Sequence, residues 1–411
     1  MFAAAFLCLA LAAPACRGGA PARSETVPLP DAYRSMLDEV AEVRGLAPPA
    51  SLRIGVVRRE ALPALLDGAA APGDAAFATE RSAVYRLLGL LPPGTDSAAA
   101  ERAMLESAAG ALYLPGRREV WLIRDGALPA SPADLEPWEQ RLLAHEFVHA
   151  LQDYHFDTLR LERGAATLDA RLALRALLEG DASWTEGQWT SRYLLPGLGP
   201  GAAVEPPPAA AAPPPALARE AAFQYTTGTE WVSLLRGTDP GAVDRLLRAG
   251  GPGATALILH PELERTGWAP GGAALPAEPP APGWALNSTS TFGEFLLASY
   301  LQTGLPALAA LQAAAGWAAD ALTTFEAPGG AALALRIRFS DAKEAGEFAV
   351  RHRGLLEARA PAVREEPGQL VATRRDGVTA IQLEPDGAAV TLVFADTEAD
   401  ARALAAFLRN R

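Results

Sequence analysis

The sequence predicts an α+β chain: a mainly helical body with a small sheet or hairpin near its start, followed by a small α+β module. Three observations carry this. Residues 137–154 and 165–184 place apolar side chains at helical spacing over five turns each. Residues 111–114 and 119–123 are short apolar runs on either side of Pro115-Gly116-Arg117-Arg118, the pattern of a hairpin. After about Gly329, short strand-like and helix-like runs alternate.

The elements follow in order. Residues 17–30 read as a polar tether, and Asp31 opens a helix in which Tyr33, Met36, Leu37, Val40 and Val43 share a face. Residues 52–57 alternate like a strand. Residues 82–91 and 98–109 read as helices, separated by the turn-forming Pro92-Pro93-Gly94. The hairpin comes next, then the helix from Pro137, capped by Ser131 or Asp134. Residues 197–215 are a Pro/Ala-rich surface loop, and Gly/Pro stretches at 250–253 and 267–283 flank His260-Pro261. Residues 292–311 return to helix. The tail reads as a strand at 332–339, a helix at 341–353, a hairpin of 369–373 with 378–383, a strand at 388–394 and a helix at 398–409. The organisation is a signal segment at 1–16, a tether at 17–30, a body at 31–328 and a module at 329–411.

Of 411 residues, half are apolar and a fifth charged, enough to build a core although much of the apolar half is alanine. The formal charge of −12, with Lys343 the sole lysine, excludes a sequence-independent nucleic-acid binder, which needs a basic face. Both cysteines, Cys8 and Cys16, precede the body, which therefore has no disulfide, thiolate metal ligand or cysteine nucleophile. Residues 2–13 are apolar, too short to span a bilayer, and end in Ala12-Ala13-Pro14-Ala15-Cys16. This resembles a bacterial lipoprotein cleavage site with Cys16 as the lipidated residue. Export to the periplasm or cell surface is expected, with membrane contact only through that N-terminal anchor.

One motif carries chemistry. His145-Glu146-Phe147-Val148-His149 places two of the chain's five histidines four residues apart in a helical stretch. Residues at that spacing share a helix face, so both imidazoles can bind one cation. Glu146 lies near the same face, where a carboxylate can take a proton from a water that the metal activates. A third protein ligand is needed. The candidates are His155, Asp157, Glu162, Asp169, Glu179 and Asp181. Glu179 is favoured because it lies near the end of the next helix, beyond a loop of about ten residues, with Gly180 and Ala182 permitting close helix approach. Gln152, Asp153 and Asp157 are placed to orient the imidazoles. His260 is the first candidate to stabilise an oxyanion and Tyr225 the second. His352, in the tail, reads as a surface residue.

These residues resemble the gluzincin zinc metallopeptidases, whose second helix supplies a glutamate ligand. His145-Glu146-Phe147-Val148-His149-Ala150-Leu151-Gln152-Asp153 followed by Glu179-Gly180-Asp181-Ala182 resembles in particular a group of exported prokaryotic members. The resemblance covers about residues 31–320 and implies a zincin-like domain with Zn2+ on His145, His149 and Glu179. It also implies Glu146 as general base, a peptide or protein substrate, and a cleft lined by an edge strand at 111–114 or 119–123. The alternative is a catalytically silent zinc-binding lipoprotein, a binding or assembly module of the cell envelope. A peptidoglycan-directed metalloenzyme fits the location but not the usual ligand pattern of such enzymes.

Overall fold

A computed structural model describes residues 5–7, 25–67, 74–199, 204–205 and 212–410. Cys8, Cys16 and most of the expected signal segment, tether and Pro/Ala-rich loop lie outside the described residues. The first half of the chain runs β1 (Ala5–Leu7), β2 (Thr26–Pro28), α1 (Asp31–Arg44), β3 (Arg53–Val57), α2 (Leu62–Asp67), α3 (Asp74–Leu88) and α4 (Ser97–Ala108). The hairpin β4 (Ala111–Leu114) and β5 (Glu119–Ile123) leads into α5 (Pro137–Phe156), α6 (Thr158–Gly164) and α7 (Leu168–Trp189), then α8 (Pro215–Ala222), α9 (Gly228–Thr238) and α10 (Ala242–Ala249). Beyond these come α11 (Ala256–Leu259), α12 (Glu262–Arg265), β6 (Ala285–Ser290), α13 (Gly293–Leu301), α14 (Ala307–Ala314), β7 (Trp317–Ala327) and β8 (Gly330–Phe339). The chain ends with α15 (Ala342–Arg359), β9 (Val363–Glu366), β10 (Gln369–Thr373), β11 (Thr379–Leu383), β12 (Ala389–Ala395) and α16 (Glu398–Arg409).

These elements form an α+β chain of two compact units: Met1–Ala78, Ala98–Ala165 and Ala173–Gly251, and Thr79–Ser97, Ala166–Leu172 and Pro252–Arg411. In the first unit the sheet order is β1-β4-β5-β3-β2. The β4–β5 hairpin is antiparallel, with Leu112 opposite Trp121, and β5 runs parallel to β3. Leu112, Leu114, Trp121 and Ile123 pack with Val57, Leu62, Leu66 and Leu105. All of β4 is buried, and its Tyr113 hydroxyl donates to Asp153 Oδ2 at 2.8 Å, fastening the strand to α5. Of the two strands expected to line a cleft, β5 is interior to the sheet; β4 meets only the three residues of β1 on its outer side.

The α5 helix begins with Pro137 at N1 and a reciprocal cap between Glu136 and Glu139. The cap expected from Ser131 or Asp134 is not used there, because those two residues close a separate 3-10 turn at Pro132–Asp134. Asp157, in the left-handed region at φ 54°, ends α5 and caps α6 by accepting from Arg160 N–H. The expected ten-residue loop is therefore mostly helix, and the second long helix runs to Trp189 rather than 184.

The second unit is built on an antiparallel sheet of order β6-β7-β8-β12-β11-β10-β9. The module boundary expected at 329 falls inside the β7–β8 hairpin, because β6 and β7 continue the same sheet. Ala401, Leu404 and Ala405 of α16 pack on Val371, Ile381 and Val393. The helix expected over 292–311 is two, α13 and α14, divided around Gly304-Leu305-Pro306. Asp320 accepts from Phe292 N–H, Gly293 N–H and Trp317 Nε1–H, anchoring the start of α13.

His352 corrects the sequence reading. It is wholly buried on α15, stacked on Phe348, with Nδ1 2.6 Å from Gln382 Oε1 and Nε2 2.8 Å from the Tyr300 hydroxyl. Two polar partners replace water at both nitrogens, and burial pushes its pKa down to about 4. No helix among the described residues is long and apolar enough to cross a membrane.

Candidate metal centre

His145 and His149 lie one turn apart on α5, and Glu179 comes from α7. The two imidazoles are 1% and 0% exposed and Glu179 is 3% exposed, so whatever satisfies their polar atoms must come from within the site. Their hydrogen bonds fix the proton positions. Gln152 Nε2 donates to Leu178 O at 2.9 Å and Asp181 Oδ2 at 3.0 Å, which turns Oε1 towards His149 Nδ1 at 2.8 Å. Nδ1 must therefore carry the hydrogen, leaving a lone pair on Nε2. His145 Nδ1 likewise donates to Glu186 Oε2 at 3.1 Å.

Three acceptors then converge. His145 Nε2 and His149 Nε2 are 3.1 Å apart, and Glu179 Oε2 lies 3.2 Å from the first and 3.4 Å from the second. Lone pairs this close repel unless a proton or a metal ion sits among them. Bonds of about 2.0–2.2 Å to imidazole and carboxylate in a tetrahedron require ligand atoms about 3.3–3.5 Å apart. The observed triangle is within a few tenths of an ångström of that. His145, His149 and Glu179 thus form a buried group able to hold a metal ion, the one such group among the described residues. On a tetrahedral zinc ion, three protein ligands would leave a fourth position for water.

The surrounding charges favour a cation. Burial disfavours a charged His145, but Glu179 and Glu186 outweigh it and hold its pKa up at about 10, so without a metal a proton sits on Nε2, and a bound metal ion would displace it. Burial likewise opposes ionisation of Glu179, yet His149 and His145 hold it far below the usual carboxylate range. Glu186 is itself held by Arg141, which also reaches Glu205 and the Val204 carbonyl. On the His149 side, Asp181 is wholly buried between Arg44 and Arg236, each at 2.7 Å, and Arg44 also reaches Asp244 at 2.7 Å. Burial raises the Asp181 pKa, but the two arginines more than reverse it. Asp181, a candidate ligand from the sequence, is not among the three converging donors, and it meets His149 only through Gln152.

Glu146 is different from every other carboxylate here. It is fully buried, and neither oxygen has a hydrogen-bond partner. Burial pushes its pKa up to about 7, against the pull of His149 and His145. The Tyr113 backbone N–H of β4, outside hydrogen-bond geometry, also lowers it. Tyr225 lies beside this group, its ring centroid 6.1 Å from that of His145. Its hydroxyl bonds to Glu179, and burial, Glu179 and Glu146 drive its pKa far up, so it keeps its hydrogen and can only donate a hydrogen bond there. Tyr225 belongs to the π turn Phe223–Thr227, which offsets the register between α8 and α9.

Glycines set that geometry. A Cβ on Gly180 would lie 2.4 Å from Gly228 carbonyl atoms, and one on Gly228 would lie 2.3 Å from Ala176 O. The close approach expected at Gly180 is therefore made to the start of α9, not to α5, and it carries Tyr225 to Glu179.

The other candidate ligands are engaged elsewhere. His155 donates to Ala47 O, Asp157 caps α6, and Glu162 pairs with Arg175. Asp153 accepts from Tyr113 and Thr158, and Asp157 likewise orients neither imidazole. Asp169 and His260 belong to the second unit. There Asp169 accepts from Thr255, and His260 Nε2 faces both Glu294 oxygens at 2.8 and 3.0 Å. Sequence reading missed Glu186 and Arg141. Their spacing could have found them: Glu186 is two turns beyond Glu179 on α7, and Arg141 one turn before His145 on α5.

Residues 284–405, within the second unit, match the model of a family described as a domain of unknown function (DUF8575). The match covers less than a third of the chain and none of the metal-site residues. No curated protein and no solved structure matches the chain.

Proposed function

We propose that the chain is an exported zinc metallopeptidase with a gluzincin-like site, hydrolysing peptide bonds of a peptide or protein substrate. The observation that carries this reading is a buried, unpartnered Glu146 beside three convergent donors able to hold a metal ion. Two neutral imidazoles and a carboxylate are the donor set of catalytic zinc sites. Zinc, when bound, supplies a Lewis acid and lowers the pKa of water. Glu146, raised towards neutral pH by burial, accepts the proton of the attacking water and returns it to the leaving amine. The Tyr225 hydroxyl donates to the oxyanion as the carbonyl becomes tetrahedral. Glu186 and Gln152 hold the imidazoles by their Nδ1 hydrogens, so that both Nε2 lone pairs stay directed at the site. The outer edge of β4, one residue of which lies beside Glu146, pairs with Ala5–Leu7, and cleavage before Cys16 would free it for an extended substrate. Cleavage at Cys16 and lipidation there belong to the same proposal and would keep the enzyme at the cell surface or in the periplasm.

The near-complete burial of all three ligands favours a second reading, a zinc-binding envelope module without turnover. The Glu146→Gln variant separates the two. Zinc-loaded wild type should degrade casein or a mixed peptide library, and Glu146→Gln should bind zinc equally and fail to do so. Zinc binding by both proteins with no cleavage by either selects the silent module. Equal cleavage by both overturns Glu146 as the base.

A further inference from the structure

The second unit holds a cleft of about 850 Å3, within the usual range for small-molecule sites. Its origin is a mismatch of lengths. The α16 helix covers one sheet face over Ala332, Ala334, Val393 and Ala395, and stops at Arg409. The same face continues beyond it to Arg336 and Arg338 on β8, opposite Thr391 and Ala389 on β12. Small residues on β12 leave the space, which Leu275, Leu383 and Leu408 border.

The charges in this cleft are unequal in their commitments. Arg336 is bound to Thr391 at 3.3 Å and to Asp386 at 3.1 Å. Arg338 and Arg409 have no ion-pair or hydrogen-bond partner among the described residues, although the chain carries a net charge of −12. Glu384, also lining the cleft, repels a doubly charged group more than a singly charged one.

We propose that this cleft binds a small monocarboxylate with an apolar stem. Arg338 and Arg409 take the carboxylate and the three leucines take the stem. A guanidinium matches a carboxylate in charge and geometry, and a stem on apolar walls adds the burial that a free ion lacks. The inference is independent of the metal centre.

The test uses octanoate as the probe on the full-length protein, followed by calorimetry and by saturation-transfer NMR. Octanoate should bind saturably, and Arg338→Ala with Arg409→Ala should weaken it about tenfold or more, since each removes a charge-assisted contact. Both arginines sit at the surface, so circular dichroism of the double variant should match wild type. The neutral octanamide should bind at least tenfold more weakly than octanoate, by about the same lost contact, and inorganic phosphate should not displace it. Absent binding, equal binding of octanamide, displacement by phosphate or an unaffected double variant would each overturn the proposal.

Discussion

Three histidines of this chain are cut off from water, and the two units use them in opposite ways. In the second unit His352 has a hydrogen-bond partner at each nitrogen and stays neutral, serving the packing between α13, α15 and β11. In the first unit His145 and His149 have a partner outside the metal-binding group only at Nδ1, and their Nε2 atoms face each other and Glu179. The carboxylates divide the same way. Asp320 accepts three hydrogen bonds, whereas Glu146 accepts none. Burial alone therefore does not mark a site; burial with unmet bonding capacity does, because that capacity is costly unless a ligand or a reaction uses it.

The largest effect should come from breaking the open set. Glu146→Gln should lower peptide cleavage by about 100-fold or more, measured as kcat/KM, with zinc content unchanged. Because it also removes an unpartnered buried charge, its melting temperature should equal or exceed that of wild type. A clear fall in melting temperature would mean that Glu146 has a structural partner.

The closed set should respond in stability and not in metal. His352→Ala should cost about 3 kcal/mol in urea unfolding, through a cavity and two orphaned partners, while zinc stoichiometry stays that of wild type. Its protonation gives the pH dependence. The folded pKa near 4 lies below the unfolded value of about 6.5, so the unfolded state binds the proton more readily. The contribution is complete above about pH 6.5 and is lost as pH falls towards 4. His352→Gln should flatten that part of the stability profile, and an unchanged profile would count against the buried neutral imidazole.

Two smaller effects sharpen the comparison inside the first unit. Glu186→Gln should weaken zinc about 10- to 100-fold in chelator competition, the usual range for a group that orients a ligand. Gly180→Ala should cost about 1–3 kcal/mol, because its Cβ meets the Gly228 backbone. A Gly180→Ala variant as stable as wild type would show that α7 and α9 can part without loss.

Much of the site was legible because it is local. The pair of histidines four residues apart follows from helix periodicity alone, and Gln152 sits one turn from His149 on the same face. Glu179 needed an inference about the next helix, which also carries Asp169, Asp181 and Glu186, and it lies beside the two imidazoles. Tyr225 reaches the site through a π turn and a glycine contact, neither of which leaves a periodic signal. His352 failed as a surface residue because its partners, Tyr300 and Gln382, are supplied by elements 52 and 30 residues away. The boundary at 329 failed for a related reason: strand pairing of β6 and β7 with the later sheet is long-range, and the short runs at 285–290 and 317–327 did not advertise it.

The central claim is that three buried donors hold a metal. Metal analysis of protein purified without chelators, beside Glu179→Ala prepared in parallel, tests it most directly. The account predicts about one zinc per chain in wild type and a large loss in the variant. Wild-type protein free of stoichiometric metal, or a variant that retains it fully, would contradict it.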